Sequence, residues 1–199
     1  MRFLSIVTAL FISATSAFAV KSDCVDYVNG RISLTFSGLE RITRACKGNK
    51  DAECLKFIAN RHSLTFAGYE QAARACAGNN NLDCLKLIDG KHNLTFEGYK
   101  QTAAACSRND DVACLKLIAS KHNLTFAGYK QTAEACGYNH GTTCLEYIDR
   151  KFNLTFEGYK QVASSCSKVT DLDCVKRFEK GRSLTLEGYK RAAASCADE

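Results

Sequence analysis

Cysteine recurs every thirty residues in two phases, at Cys24, Cys54, Cys84, Cys114, Cys144 and Cys174, and at Cys46, Cys76, Cys106, Cys136, Cys166 and Cys196. This double series constrains the fold more than any other feature of the chain, because self-similarity at a fixed period of this size marks a repeat architecture. Aligned on the cysteines, six copies share a Leu-Thr pair and one glycine, as in Leu94, Thr95 and Gly98.

Within a copy, the first half places Leu82, Leu85 and Ile88 at near-helical spacing, with Cys84 and His92 extending the same face. Asp51, Asn81, Asp111 and Asp171 precede these segments as N-cap candidates. The pattern predicts a short helix of about ten residues. The second half carries Phe96, Tyr99, Ala103 and Cys106 at helical spacing. Thr95 is the expected N-cap of that helix, and Leu94 and Tyr99 are the two members of a hydrophobic staple. A glycine inside a helix costs about 1 kcal/mol relative to alanine. Its recurrence at Gly98 and its equivalents predicts a close approach by another backbone.

Two short helices joined by a tight turn form an αα-hairpin, and a hairpin of this length buries too little apolar surface to stand alone. The fold expected is therefore all-α: six tandem αα-hairpin repeats of about 30 residues, starting at Cys24, Cys54, Cys84, Cys114, Cys144 and Cys174, stacked as a disulfide-stapled α-solenoid. No Pro-rich or low-complexity linker interrupts the series, which predicts a single repeat domain over 20–199.

The first residues, MRFLSIVTALFISATSAFAV, combine Arg2, an apolar run from Phe3 to Ile12 and the small-residue site Ala17-Phe18-Ala19. These are the parts of a secretory signal over 1–19, with cleavage expected after Ala19. The apolar run falls short of the roughly 20 residues that a membrane span requires, so no span is expected. In an oxidising compartment twelve cysteines pair. A zinc site needs close C-x2-4-C pairs that the chain lacks, and no metal or other cofactor is expected.

Two pairings fit the spacing. Pairing within a copy, Cys24 with Cys46 through Cys174 with Cys196, uses every cysteine and is favoured. Pairing across the short loop, Cys46 with Cys54 and onward, bridges neighbouring copies but strands Cys24 and Cys196. The segment ACSRNDDVAC resembles the stapled hairpin of cysteine-rich secreted repeat proteins related to tetratricopeptide repeats. The resemblance covers that joint, and it implies the cross-loop pairing and a secreted interaction scaffold.

His62, His92 and His122 share one slot with Ile32 and Phe152, a replacement pattern that reads as packing at the end of the first helix. Tyr69, Tyr99, Tyr129, Tyr159 and Tyr189 form an aromatic column whose staple position also reads as packing. Two basic columns run along the repeats: Arg31, Arg61, Lys91, Lys121 and Lys151, and Lys100, Lys130, Lys160 and Lys190. On a solenoid each becomes a stripe that either follows an anionic polymer or is a solvated surface with local acidic partners, as at Glu157 and Lys160. The loop GYNHGTTC departs most from its sisters and offers Tyr138 and His140 as contact residues.

Asn93, Asn123 and Asn153 satisfy the Asn-x-Thr glycosylation pattern, yet Ser33, Ser63 and Ser183 fill the same slot, and both residue types suit a turn before a capped helix. No copy differs from the others in the way a single catalytic site requires, so no enzymatic activity is expected. The reading is an extracytoplasmic scaffold, secreted or periplasmic, that binds a protein or an anionic polymer of an envelope or extracellular matrix. Arg61, Lys91, Lys121, Lys151, Tyr138 and His140 are its candidate contacts. The alternatives are a secreted effector or inhibitor of a foreign protein and an extracellular hydrolase. The modest excess of Lys and Arg and the predicted compartment give no reason to expect nucleic acid.

Overall fold

A computed structural model describes residues 22–79 and 82–198. The signal segment and Asn81 lie outside the described residues. Within them the chain is all-helical, and each copy is an antiparallel helix pair. The first helices are α1 (Asp23–Asn29), α3 (Glu53–Ala59), α5 (Asp83–Asp89), α7 (Ala113–Lys121), α9 (Thr143–Phe152) and α11 (Leu172–Glu179). The second helices are α2 (Phe36–Ala45), α4 (Phe66–Ala75), α6 (Phe96–Ala105), α8 (Phe126–Ala135), α10 (Phe156–Ser165) and α12 (Leu186–Ser195), the last followed by a 3-10 turn at Cys196–Asp198. The first helices run seven to ten residues, mostly shorter than the pattern predicted.

Every second helix begins the same way. Thr35, Thr65, Thr95, Thr125, Thr155 and Thr185 each accept a hydrogen bond from the backbone N–H of the glycine three residues on, at 3.2–3.3 Å. That glycine does not face a foreign backbone, which corrects the expected close approach. A Cβ on Gly98 would meet Leu94 Cβ and Cδ2 at 3.5 Å and the Thr95 hydroxyl at 3.6 Å, all within its own hairpin. These are ordinary van der Waals distances, so a Cβ at Gly98 would rest against the staple leucine of its own hairpin.

The first helices start less uniformly. Asp171 is a true N-cap, accepting from the Asp173 N–H. Asp51 and Asp111 stand one residue further out and accept from the N–H groups of Glu53 and Ala113.

Six disulfides among the described residues join the start of each first helix to the end of its partner: Cys24–Cys46, Cys54–Cys76, Cys84–Cys106, Cys114–Cys136, Cys144–Cys166 and Cys174–Cys196. The within-copy pairing is the one present, and the cross-loop pairing implied by the resemblance is not. Antiparallel helices bring the paired Cα atoms to 5.7–5.9 Å, well within bridging range.

Neighbouring hairpins stack through their second helices, α2 on α4 through α10 on α12, and each of α3, α5, α7 and α9 also reaches the second helix of the next copy. Leu55, Leu85, Leu115 and Leu145 line this seam together with Ile58, Ile88, Ile118 and Ile148, all at most 1% exposed. Burial of each such side chain stabilises the stack by about 1.5–3 kcal/mol. The result is a disulfide-stapled helical solenoid. Its ends show what the stacking does. Phe36 is 86% exposed, whereas its equivalents Phe66, Phe96, Phe126 and Phe156 are half-buried.

One buried slot in the second helix holds Thr102, Thr132 and Val162 in successive copies, each fully buried. The Thr132 hydroxyl donates to the Gly128 carbonyl at 2.8 Å, but the Thr102 hydroxyl has no partner. An unsatisfied buried hydroxyl destabilises by about 1–3 kcal/mol. Thr102→Val is expected to raise the free energy of unfolding in urea by about 1 kcal/mol, and Thr132→Val by less. Equal effects at the two positions would argue against this account.

Candidate functional site

The hairpin turns line one edge of the solenoid and the loops between copies line the opposite edge, because the two helices of each copy are antiparallel. The six candidate contacts therefore fall into two groups. Arg61, Lys91, Lys121 and Lys151 lie on the turn edge. Tyr138 and His140 lie on the loop edge, at the opposite ends of the helices.

The turn edge is built from four positions per junction between copies: a side chain on the first helix, a base in the turn, and then an acid and a tyrosine from the next copy. At the junction of copies two and three, Phe57 packs edge-on against Tyr99 with ring centroids 6.2 Å apart. The Arg61 guanidinium lies 3.7 Å above the Phe57 ring and pairs with Asp89 at 3.0 Å. Asp89 also accepts from the Tyr99 hydroxyl. Burial first, and the Asp89 carboxylate second, push the Tyr99 phenol up to about 12.

Junction four–five has Leu117 in place of the ring but keeps the rest, with Lys121 on Asp149 at 3.7 Å and the same carboxylate taking the Tyr159 hydroxyl. Junction five–six uses Tyr147, Lys151, Glu179 and Tyr189. Lys151 pairs with Glu179 at 2.6 Å, and the Tyr147 hydroxyl donates to the same carboxylate. The basic column read as a stripe is thus largely neutralised by an acidic column that the sequence reading missed, although Asp89, Asp149 and Glu179 recur in one phase of the repeat.

Hydrogen bonds from Lys151, Tyr147 and Tyr189 lower the Glu179 carboxyl from 4.5 to about 2. The folded-state pKa lies below the unfolded one, so this contact stabilises the fold fully above about pH 4.5 and is lost as pH falls toward about 2. Glu179→Gln is expected to flatten the fall in melting temperature across that window while leaving the slope above pH 6 unchanged. Parallel acid profiles for the two proteins would contradict the role of this carboxylate.

The second basic column is paired at all but Lys130, which donates to Gln101. Lys100, Lys160 and Lys190 bridge Glu97, Glu157 and Glu187 at 2.6–2.7 Å within their own helices. Each also donates to the glutamine of the preceding copy, Gln71, Gln131 and Gln161, at 2.8–2.9 Å. Arg41 and Glu70 make the same connection between the first two copies with the charges exchanged.

The histidine slot is packing, as its apolar replacements indicated. His62, His92 and His122 each lie edge-on to the phenylalanine and tyrosine of the next copy, with centroids 5.2–5.8 Å apart, and Phe152 lies 5.5 Å from Tyr189 in the same manner. No group of three metal-ligating side chains occurs among the described residues. The tyrosine column is buried, at 2–7% exposure.

On the loop edge Tyr138 is 40% exposed and adopts a left-handed backbone with φ 64°. Its ring lies 5.3 Å from both the Arg108 guanidinium and the Lys168 ammonium. Exposed His140 borders a pocket with Thr143, Thr170 and the Cys144–Cys166 bridge. A further ladder runs beneath these loops. The side-chain amides of Asn49, Asn79, Asn109 and Asn139 donate to the carbonyls of Ala73, Ala103, Ala133 and Ala163 in the next copy, at 2.7–3.1 Å.

The protein-family models, the curated proteins and the solved structures hold no match to this chain. Among the described residues no helix is long and apolar enough to cross a membrane, and the six disulfides point to an oxidising compartment.

Proposed function

We propose that the protein is an extracytoplasmic binding scaffold, secreted or periplasmic, whose partner is another protein. The supporting observation is the division of labour between positions. The cysteines, the Leu-Thr pair, the seam leucines and the Asn ladder hold the copies in one geometry, while the turn-edge positions change from copy to copy. A rigid array with individually decorated units suits recognition of a partner at several discrete points.

A continuous anionic polymer is supported less well. Such a ligand needs an unbroken positive track, and carboxylates or glutamines already engage most of both basic columns. Tyr138 between two cations on the opposite edge adds an exposed aromatic anchor of the kind enriched in protein interfaces.

The test is capture with the oxidised protein from extracytoplasmic extracts of its source, with turnover assays run on the same material. Retention of a defined protein, weakened by Tyr138→Ala, is expected. Turnover of extract components without stable retention would favour a hydrolase and overturn the reading. Retention of glycan alone would favour the polymer.

A further inference from the structure

The junction of copies three and four breaks the pattern of the turn edge in two positions at once. Ala119 stands where Asp89, Asp149 and Glu179 stand in the sister copies, and Leu87 stands where Phe57 and Tyr147 stand, a change that Leu117 shares at junction four–five, where Asp149 keeps the carboxylate. The first change removes the carboxylate, and the second removes the ring that would cover the gap. Lys91 consequently has no carboxylate within ion-pair distance among the described residues, unlike Arg61, Lys121 and Lys151. The Tyr129 hydroxyl likewise lacks the acidic partner that Tyr99 and Tyr159 have, although its side chain is 7% exposed.

An open cleft of about 510 Å³ lies there, bordered by Lys91, His92, Ala119, Lys121, His122 and Tyr129. Junction one–two shares the missing acid, at Ala59, but there Tyr27 packs edge-on against Tyr69 at 6.3 Å and Arg31 lies over the Tyr27 ring at 5.2 Å. That junction is closed by its own aromatic ring.

We infer that the cleft between copies three and four receives a carboxylate supplied from outside, the Asp or Glu side chain of a partner polypeptide. The sister junctions show the bound state of the socket. A carboxylate in the place of Asp89 or Asp149 would accept from the Tyr129 hydroxyl and pair with the Lys91 ammonium, as the internal carboxylates do at their own junctions. A charge-assisted pair of this kind is stronger than a neutral hydrogen bond. The open cleft beside Ala119 admits the side chain that carries the carboxylate. The inference rests on the protein-binding reading and names the chemistry of one contact within it.

The test is calorimetric titration of the purified oxidised protein with an acetylated hexaglutamate peptide at low salt, with glutarate and inorganic phosphate as competitors. Saturable binding is expected, weakened about tenfold by Lys91→Gln and by Ala119→Asp, and unchanged by Arg31→Gln. Ala119→Asp supplies the missing carboxylate internally, and the sister copy with Asp149 shows that the fold accommodates it. Glutarate is expected to compete and phosphate to compete less.

Equal affinity in Ala119→Asp, or no saturable binding by the wild type, would overturn the inference. Equal competition by phosphate would replace a carboxylate socket with an unselective anion site and overturn it as well. Capture of a partner that Lys91→Gln leaves unchanged would refute the socket and leave the scaffold reading standing. Failure of capture alongside Lys91-dependent peptide binding would do the reverse.

Discussion

Treatment of the oxidised protein with a thiol reductant is expected to abolish its helical circular dichroism near room temperature, not merely to lower its melting point by a few degrees. Each bridge closes a loop between cysteines 22 positions apart. In the chain-entropy model such a closure stabilises the native state by about 3 kcal/mol. Six of them contribute on the order of 20 kcal/mol, more than the usual 5–15 kcal/mol of net stability for a domain. The helices offer no reserve, since seven to ten residues is below the length at which an isolated helix persists in water.

Replacing one bridge, Cys114→Ser with Cys136→Ser, is expected to cost about 3 kcal/mol in urea and to leave the other hairpins folded at neutral pH. A melt that ignores reductant would remove the structural role of the bridges, and with it the physical reason for a cysteine phase in the repeat.

The fold was legible because its determinants are local and repeated. The Thr95 cap and the Leu94 staple depend on residues within one turn, and the pairing of Cys84 with Cys106 follows from antiparallel geometry. Gly98 was misread because a recurring glycine does not show what lies beside it. Here its neighbour is the staple leucine of the same hairpin, at ordinary contact distance.

The turn edge was only half legible. Lys91 and Lys121 were visible as members of a column, but their meaning depends on contacts between residues 28 positions apart, such as Lys121 with Asp149. Position 119 carries information only by contrast with its sisters, and an alanine attracts no notice by itself. Tyr138 and His140 were found because their loop departs from the repeat, yet nothing in the sequence placed them on the opposite edge from Lys91.

The Asn ladder was missed for the same reason, and it carries the largest expected effect of a single substitution. At the end of each second helix the chain tightens: the Gly137 N–H donates to the Glu134 carbonyl, so the Ala133 carbonyl loses the partner a regular helix would give it. Asn109 from the preceding copy supplies that donor at 2.7 Å while only 2% exposed.

Asn109→Asp exchanges the donor for a carboxylate aimed at a carbonyl oxygen, without changing the shape of the side chain. A buried charge without a partner is expected to destabilise by about 3–5 kcal/mol at neutral pH, against about 1–3 kcal/mol for Asn109→Ala, which removes the amide with its hydrogen bonds and adds no charge. The penalty has a definite pH dependence. Burial raises the new carboxyl's pKa in the folded state, and its protonated form can again donate to Ala133. The deficit relative to wild type is therefore smallest below the ordinary aspartate value of about 3.9 and grows as pH rises through the raised pKa.

Urea unfolding of the two proteins at pH 3.5 and pH 7 reads this directly. A deficit of the same size at both values would mean that Asn109 acts by packing and not as the donor that joins one hairpin to the next. If the donor account holds, hydrogen exchange at pH 7 should accelerate first in α8 and the end of α6. The bond spans a junction of a nearest-neighbour array, so its loss weakens one interface before it weakens the chain.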